Sequence, residues 1–210
     1  MSLSAKSRFV NALTFARLPL IFIWLGFAVA QELRGGFWLG AVACLAMGAS
    51  GLTDLFDGHL ARRWGVVSTL GKMADPLMDK MFYLVAFPAL VWQAGHQPGG
   101  DTHAMVLLGF TILYMLRDTW VTFMRTVGTM FGADVAAMWL GKVRTALSFP
   151  GAGWIYTYLA FHQLVPEPLR RPWLVSCYLF EAVLVVLTII SLVTYTAAYA
   201  PYIEKALARK

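Results

Sequence analysis

Six apolar runs, near residues 14–30, 37–53, 81–94, 104–124, 146–162 and 173–200, fill most of this 210-residue chain. Runs of this length leave few folds open. In hydrocarbon each backbone N–H and C=O needs a partner inside the protein, and a single segment meets that demand only as a helix. With 59% hydrophobic and 13% charged residues, and a mean hydropathy of +0.65, no stretch remains for a separate soluble domain. The expected fold is all-α: a polytopic membrane protein of about six transmembrane helices in one bundle, a single domain over 1–210. The first run follows basic residues, as a signal peptide would. It continues to Ala30, however, and is followed by "QELRGG" with no clear small-residue cleavage site, so it reads as a retained helix.

The net charge of +6 is scattered at the ends of the apolar runs and forms no basic stripe. Nucleic acid is therefore not an expected partner, and anionic lipid or phosphate is. Cys44 and Cys177 lie far apart in apolar stretches without metal-ligand spacing, so neither a disulfide nor a metal role is expected of them. Lys6 and Arg8, then Arg62, Arg63 and Lys72, then Lys142 and Arg144, and finally Lys205, Arg209 and Lys210 fall on one side of a six-span topology. The opposite loops are poorer in Lys and Arg, "EPLRRP" excepted. Short cytoplasmic loops are the ones enriched in Lys and Arg, so both termini and the 54–80 region are expected on the cytoplasmic side.

That region, "DLFDGHLARRWGVVSTLGKMADPLMDK", holds four of the chain's eleven acidic residues. Asp54 with Asp57, and Asp75 with Asp79, are spaced to share a helix face, one pair ending the second helix and the other beginning the third across the turn "WGVVSTLG". Four carboxylates brought together near a low-dielectric medium repel one another unless they are protonated or hold cations. Hard oxygen ligands point to Mg2+ or Mn2+, and two such ions could clamp a diphosphate while one carboxylate serves as a base. Gly58 and Gly71 allow close approach of a nucleotide, and Arg62 can donate to a phosphate. Blander roles exist for the parts: Asp75 as a helix cap before Pro76, Asp57-Gly58 as a turn, and Lys72 and Lys80 as surface ion-pair partners. None of these accounts for four aspartates at helical spacing on adjoining helices together with Arg62 and the two glycines.

The pattern Asp54-x-x-Asp57-Gly58-x-x-Ala61-Arg62, eight residues, then Gly71-x-x-x-Asp75-x-x-x-Asp79 resembles, at every fixed position, the signature of the CDP-alcohol phosphotransferases. The resemblance implies transfer of a phosphatidyl or related group from a CDP-linked donor, such as CDP-diacylglycerol, to an alcohol, with release of CMP. It implies that Asp54, Asp57 and Asp75 hold two Mg2+ or Mn2+ ions, and that Asp79 helps hold metal and deprotonates the acceptor hydroxyl. Gly58, Ala61, Arg62 and Gly71, with Thr14 from the first helix, would line the nucleotide. It further implies a homodimer in a bacterial inner membrane.

Three more stretches resemble the phosphatidylglycerophosphate synthase branch: "NALTFARLPLIFI", with Asn11, Leu13, Thr14 and Arg17; "LRDTWVTFMRTVG"; and "WLGKVRTALSFP". Asp118 stands where the branch has Glu, and Arg144 where it has Lys. Arg117 and Arg125, eight residues apart, share a face of the fourth helix, and Lys142 and Arg144 begin the fifth. Together these four suit an acceptor that carries its own phosphate, such as glycerol 3-phosphate. Their plainer reading is as cations anchored at the lipid headgroups. Inositol phosphate, serine and phosphatidylglycerol are the alternative acceptors. An intramembrane prenyltransferase and a cation transporter are the competing classes; the first usually carries its aspartate pairs on separated helix pairs, and the second places carboxylates near midplane.

Overall fold

The computed structural model describes residues 2–133 and 139–208, and among these it contains helices and no strand. The α-helices are α1 (Leu3–Arg34), α2 (Phe37–Trp64), α3 (Thr69–His96), α4 (Asp101–Met130), α5 (Trp139–Phe161) and α6 (Glu167–Ala208), with a short 3-10 turn at His162–Leu164. Of the basic residues assigned to the cytoplasmic side, Arg209 and Lys210 lie outside the described residues, as does the side chain of Lys72. Four helices, α1, α2, α4 and α6, are long and apolar enough to cross a membrane. α3 and α5 do not meet that measure. α3 carries Lys72, Asp75, Asp79 and Lys80 in its first half, and the 23-residue α5 carries Lys142 and Arg144 near its start. The chain is an all-helical integral membrane protein.

α1 packs on α2 and α3, α4 packs on α6 and α3, and α5 fits between α6, α2 and α3. The core they share is built from Ile21 and Trp24 of α1, Phe87 and Leu90 of α3, and Ile155 and Tyr156 of α5. Ala43, Ala86, Ala94 and Ala152 are fully buried among them. Small residues serve this purpose in lipid, where hydrophobicity does not drive helices together and backbones must come close to gain dispersion contacts. Gly51 shows how tight the approach is, because a Cβ there would lie 2.4 Å from the Phe149 ring. That contact sets α5 against α2 one turn before Asp54. Leu45, Leu52, Leu84, Leu116 and Val193 are exposed around the bundle, as lipid-facing residues would be.

The α2–α3 connection is shorter than the sequence suggested. α2 ends at Gly65, whose φ of +63° and N–H to the Ala61 and Arg62 carbonyls form a left-handed cap. Ser68 Oγ accepts the Gly71 N–H at 2.9 Å and starts α3 at Thr69. Gly71 is therefore in the first turn of a helix, not at the edge of a loop. Asp75 with Pro76 lies inside the helix, which removes the capping role considered for Asp75. Asp57-Gly58 is likewise helical and not a turn.

Candidate active site

Helical spacing places Asp54 and Asp57 on one face of α2, and Asp75 and Asp79 on one face of α3. The short turn brings these faces together. Between them, from α1, comes Arg17. Its Nη1 lies 2.6 Å from Asp54 Oδ1 and 3.0 Å from Asp79 Oδ1. Its Nη2 lies 3.0 Å from Asp57 Oδ2 and 3.1 Å from Asp75 Oδ1. One planar cation thus holds an oxygen of all four carboxylates, a task suited to the guanidinium fork. Arg17 and Asp57 are buried, whereas the side chains of Asp54, Asp75 and Asp79 are 40–50% exposed. The cup therefore has a buried floor and an open rim. Thr14, one turn before Arg17, donates to Asp57 Oδ2 at 2.8 Å and fixes the floor from a second side.

Lining a cavity together with Asp54 and Asp79 is a wall of cations. Arg117 Nη1 donates to Asp118 Oδ1 at 3.1 Å, and Arg144 Nη2 donates to the same oxygen at 2.7 Å. Lys80 Nζ reaches Thr122 Oγ1 at 2.6 Å and lies 3.9 Å from Asp118. Arg117 Nη2 also donates to Ser191 Oγ, and Arg125 Nη2 to the Tyr195 hydroxyl at 2.9 Å, both acceptors being on α6. The Arg144 guanidinium carbon lies over Tyr114, 3.9 Å from the ring centre. Among the described residues, Arg117 Nε and Arg144 Nε and Nη1 are buried without a hydrogen-bond partner. Buried donors of this kind are costly unless an acceptor meets them.

A cavity of about 830 Å3 joins the two clusters. Asp54 and Asp79 line one end of it, and Arg117, Arg125, Lys142 and Arg144 line the other. A second cavity of about 500 Å3, between α2, α3 and α5, reaches Arg17, Asp54 and Asp79 past Leu52, Leu55, Met78, Phe82 and Phe149. The carboxylates thus sit where a cation-walled space and a largely apolar one meet.

Comparison with known proteins gives the arrangement a family. The family model described as CDP-alcohol phosphatidyltransferase matches residues 9–190. The chain belongs to the CDP-alcohol phosphatidyltransferase family. It is 30% identical over 163 residues to a protein of Streptomyces coelicolor named cardiolipin synthase (CMP-forming), a match covering 71% of this chain and 69% of that protein. It is 30% identical over 118 residues to proteins of Escherichia coli K12 and Salmonella typhimurium named CDP-diacylglycerol--glycerol-3-phosphate 3-phosphatidyltransferase, covering 56% of this chain and 62% of theirs. The match spans less than two thirds of those two relatives. As a CDP-alcohol phosphatidyltransferase, the chain is an enzyme of phospholipid biosynthesis that moves a phosphatidyl group from a CDP-linked donor to an alcohol.

The family is in general dependent on divalent metal, and the donor set is of the kind such ions take. Four hard oxygen donors converge on one positive charge, and three of the carboxylates are open to solvent, which suits hard divalent cations. As they stand, the carboxylates surround the guanidinium, and no three acidic, His or Cys residues among the described ones group around a common metal position. The cation at the centre is Arg17. The residues assigned to the nucleotide lie close to the cup: Gly58 and Ala61 are half-buried on α2, and Arg62 is exposed there. A Cβ on Gly58 would lie 3.5 Å from the Arg62 guanidinium, so Arg62 folds back along the helix. At Gly71 the space is bordered by Ser68 and Asn11. Thr14 is 1% exposed and faces Asp57.

Three residues of the site stand outside the set expected from the sequence: Arg17, Ser191 and Tyr195. The usable signal was Arg17 itself, an arginine inside an apolar run on a membrane helix, where an ionisable residue needs a partner. Ser191 and Tyr195 lie in a long apolar helix and carry no comparable signal.

Proposed function

We propose that this enzyme transfers the phosphatidyl group of CDP-diacylglycerol to glycerol 3-phosphate, forming phosphatidylglycerophosphate and releasing CMP. The carrying observation is the single cavity that runs from Asp79 and Asp54 to Arg117, Arg125, Lys142 and Arg144. An acceptor seated there has its phosphate among the cations and its hydroxyl toward the carboxylates. Asp79 takes the proton of that hydroxyl as the oxygen attacks the lipid-side phosphorus, and the bond to CMP breaks. Asp54, Asp57, Asp75 and Asp79 would hold two divalent ions, Mg2+ or Mn2+. Bound there, the ions supply charge that clamps the diphosphate and offsets the negative charge left on CMP. Thr14 and Arg17 keep the carboxylates converged. Gly58, Ala61, Arg62 and Gly71 border the nucleotide, and the apolar cavity past Leu52 and Phe82 receives the donor's acyl chains.

The active site and both termini lie on the cytoplasmic side in this reading, in a bacterial inner membrane, with the chain acting as a homodimer. The basic residues at the ends of the helices support that orientation. The relative named cardiolipin synthase favours a second acceptor, phosphatidylglycerol, which also carries a phosphate. Purified protein given radiolabelled CDP-diacylglycerol and Mg2+ distinguishes the two by thin-layer chromatography. Phosphatidylglycerophosphate with glycerol 3-phosphate is the expected product. Cardiolipin with phosphatidylglycerol alone selects the second acceptor, and no CMP with any alcohol contradicts both.

A further inference from the structure

The acceptor end of the cavity contains two arginines from separate turns of α4, and a single aromatic residue of α6 holds both. Arg117 and Arg125 are eight residues apart, about 12 Å along a helix axis. Left to themselves, two cations on separate turns would repel and turn toward different counter-ions. Here the Arg117 guanidinium lies 5.1 Å, and that of Arg125 5.2 Å, from the centre of the Tyr195 ring. The Tyr195 hydroxyl accepts from Arg125 at 2.9 Å, and one turn earlier the Ser191 hydroxyl accepts from Arg117. Tyr195 and Ser191 are both buried, at 1% and 0% exposure. Gly141, at the start of α5, closes the arrangement: a Cβ there would lie 3.3 Å from the Tyr195 hydroxyl and 3.4 Å from Arg117 Nη2. Both α6 residues lie beyond the 9–190 region matched by the family model.

The chemistry of the two holders differs. Asp118 fixes Arg117 and Arg144 with a full negative charge, which offsets part of theirs. Tyr195 and Ser191 are neutral and orient cations through a ring face and hydroxyl oxygens, leaving the positive charge intact for an incoming anion. We propose that Tyr195, assisted by Ser191, is a positioning residue that gathers Arg117 and Arg125 into one phosphate-binding unit and so sets the enzyme's preference for a phosphate-bearing acceptor. The inference rests on the reading of this cavity as the acceptor site.

Steady-state kinetics on the full-length enzyme tests it, using Tyr195→Leu, Tyr195→Phe and Ser191→Ala with glycerol 3-phosphate and, separately, glycerol as acceptor. Tyr195→Leu is expected to raise KM for glycerol 3-phosphate by roughly tenfold, with a smaller change in kcat and in KM for CDP-diacylglycerol, and to weaken inhibition by inorganic phosphate in parallel. Tyr195→Phe keeps the ring and loses the hydrogen bond from Arg125, so a rise of about two- to fivefold is expected, and Ser191→Ala should behave similarly. Selectivity for glycerol 3-phosphate over glycerol should fall in the same order. Unchanged selectivity and phosphate inhibition, or losses shared equally with CDP-diacylglycerol, overturn the assignment. If Tyr195→Leu does not fold, Tyr195→Phe and Ser191→Ala decide by the same criterion. A wild-type enzyme that does not use glycerol 3-phosphate overturns the acceptor reading itself. Wild-type turnover with unaltered variants overturns only the role of Tyr195.

Discussion

The cup on α1–α3 and the wall on α4–α6 solve opposite electrostatic problems. In the cup, four carboxylates surround one arginine, and the surplus is negative. In the wall, Arg117, Arg144 and Lys80 gather about Asp118, while Arg125 and Lys142 line the same cavity, and the surplus is positive. Arg17 holds the cup, with Thr14 fixing Asp57, and Asp118 holds Arg117 and Arg144, while the neutral Ser191 and Tyr195 of α6 hold Arg117 and Arg125; neither surplus is cancelled. In the proposed function the surplus charge is what remains for ligands: divalent cations and their diphosphate in the cup, an anionic acceptor at the wall. The difference in burial follows the same division, since the counter-ion of the cup is buried while Asp118 is only partly so.

Breaking the cup should have the largest effects. Asp79→Asn removes the proposed base while preserving shape, and turnover should fall about a hundred- to ten-thousand-fold with CDP-nucleotide binding retained. Loss of nucleotide binding in equal measure would assign Asp79 to metal holding alone. Next comes Arg17→Met. Leaving the buried Asp57 and its three neighbours without their cation should lower the stability of the metal-free protein by about 3–5 kcal/mol, read as a drop in melting temperature in detergent. Mg2+ should then raise the melting temperature of the variant by more than it raises that of the wild type, because ions no longer compete with the guanidinium for the same oxygens. An equal Mg2+ response would place the ions away from the oxygens that Arg17 holds.

The wall should respond more mildly and through acceptor binding. Asp118→Ala frees Arg117 and Arg144 and should raise KM for glycerol 3-phosphate roughly tenfold, on the scale of lost hydrogen bonds to charged groups. Lys142→Ala removes an exposed cation at the cavity edge, and a change of about two- to fivefold in that KM, diminishing with added salt, is expected. A salt-independent effect larger than that of Asp118→Ala would reverse the order of the two residues within the wall.

The two regions were also unequally legible in the sequence. The aspartates could be grouped because i, i+3 and i, i+4 spacing fixes a shared helix face whatever the tertiary structure. Arg117 and Arg125 could be paired for the same reason. Arg17 is 40 residues from Asp57 and 62 from Asp79, and no local periodicity reports a contact of that range. Tyr195, 70 residues from Arg125, stands in the apolar α6 and reads as ordinary core until α4 is packed against it. Gly71 reads as a loop edge when glycine alone marks the boundary, whereas the Ser68 cap starts α3 two residues earlier. Six helices are expected from the runs, and the aspartate segment already reads as the end of the second and the start of the third. The apolar runs by themselves omit the polar ends that lengthen every helix and carry most of the site.

In the proposed function the cationic wall gives the carboxylate cup an acceptor bearing a phosphate. That role is tested most directly by the ratio of kcat/KM for glycerol 3-phosphate to that for glycerol, measured as CMP release in the wild type and in the double variant Arg117→Gln with Arg125→Gln. The wild type should strongly prefer glycerol 3-phosphate, and that preference should largely disappear in the double variant while slow CMP release with glycerol persists. A double variant that retains the preference, or a wild type that prefers glycerol, would contradict it.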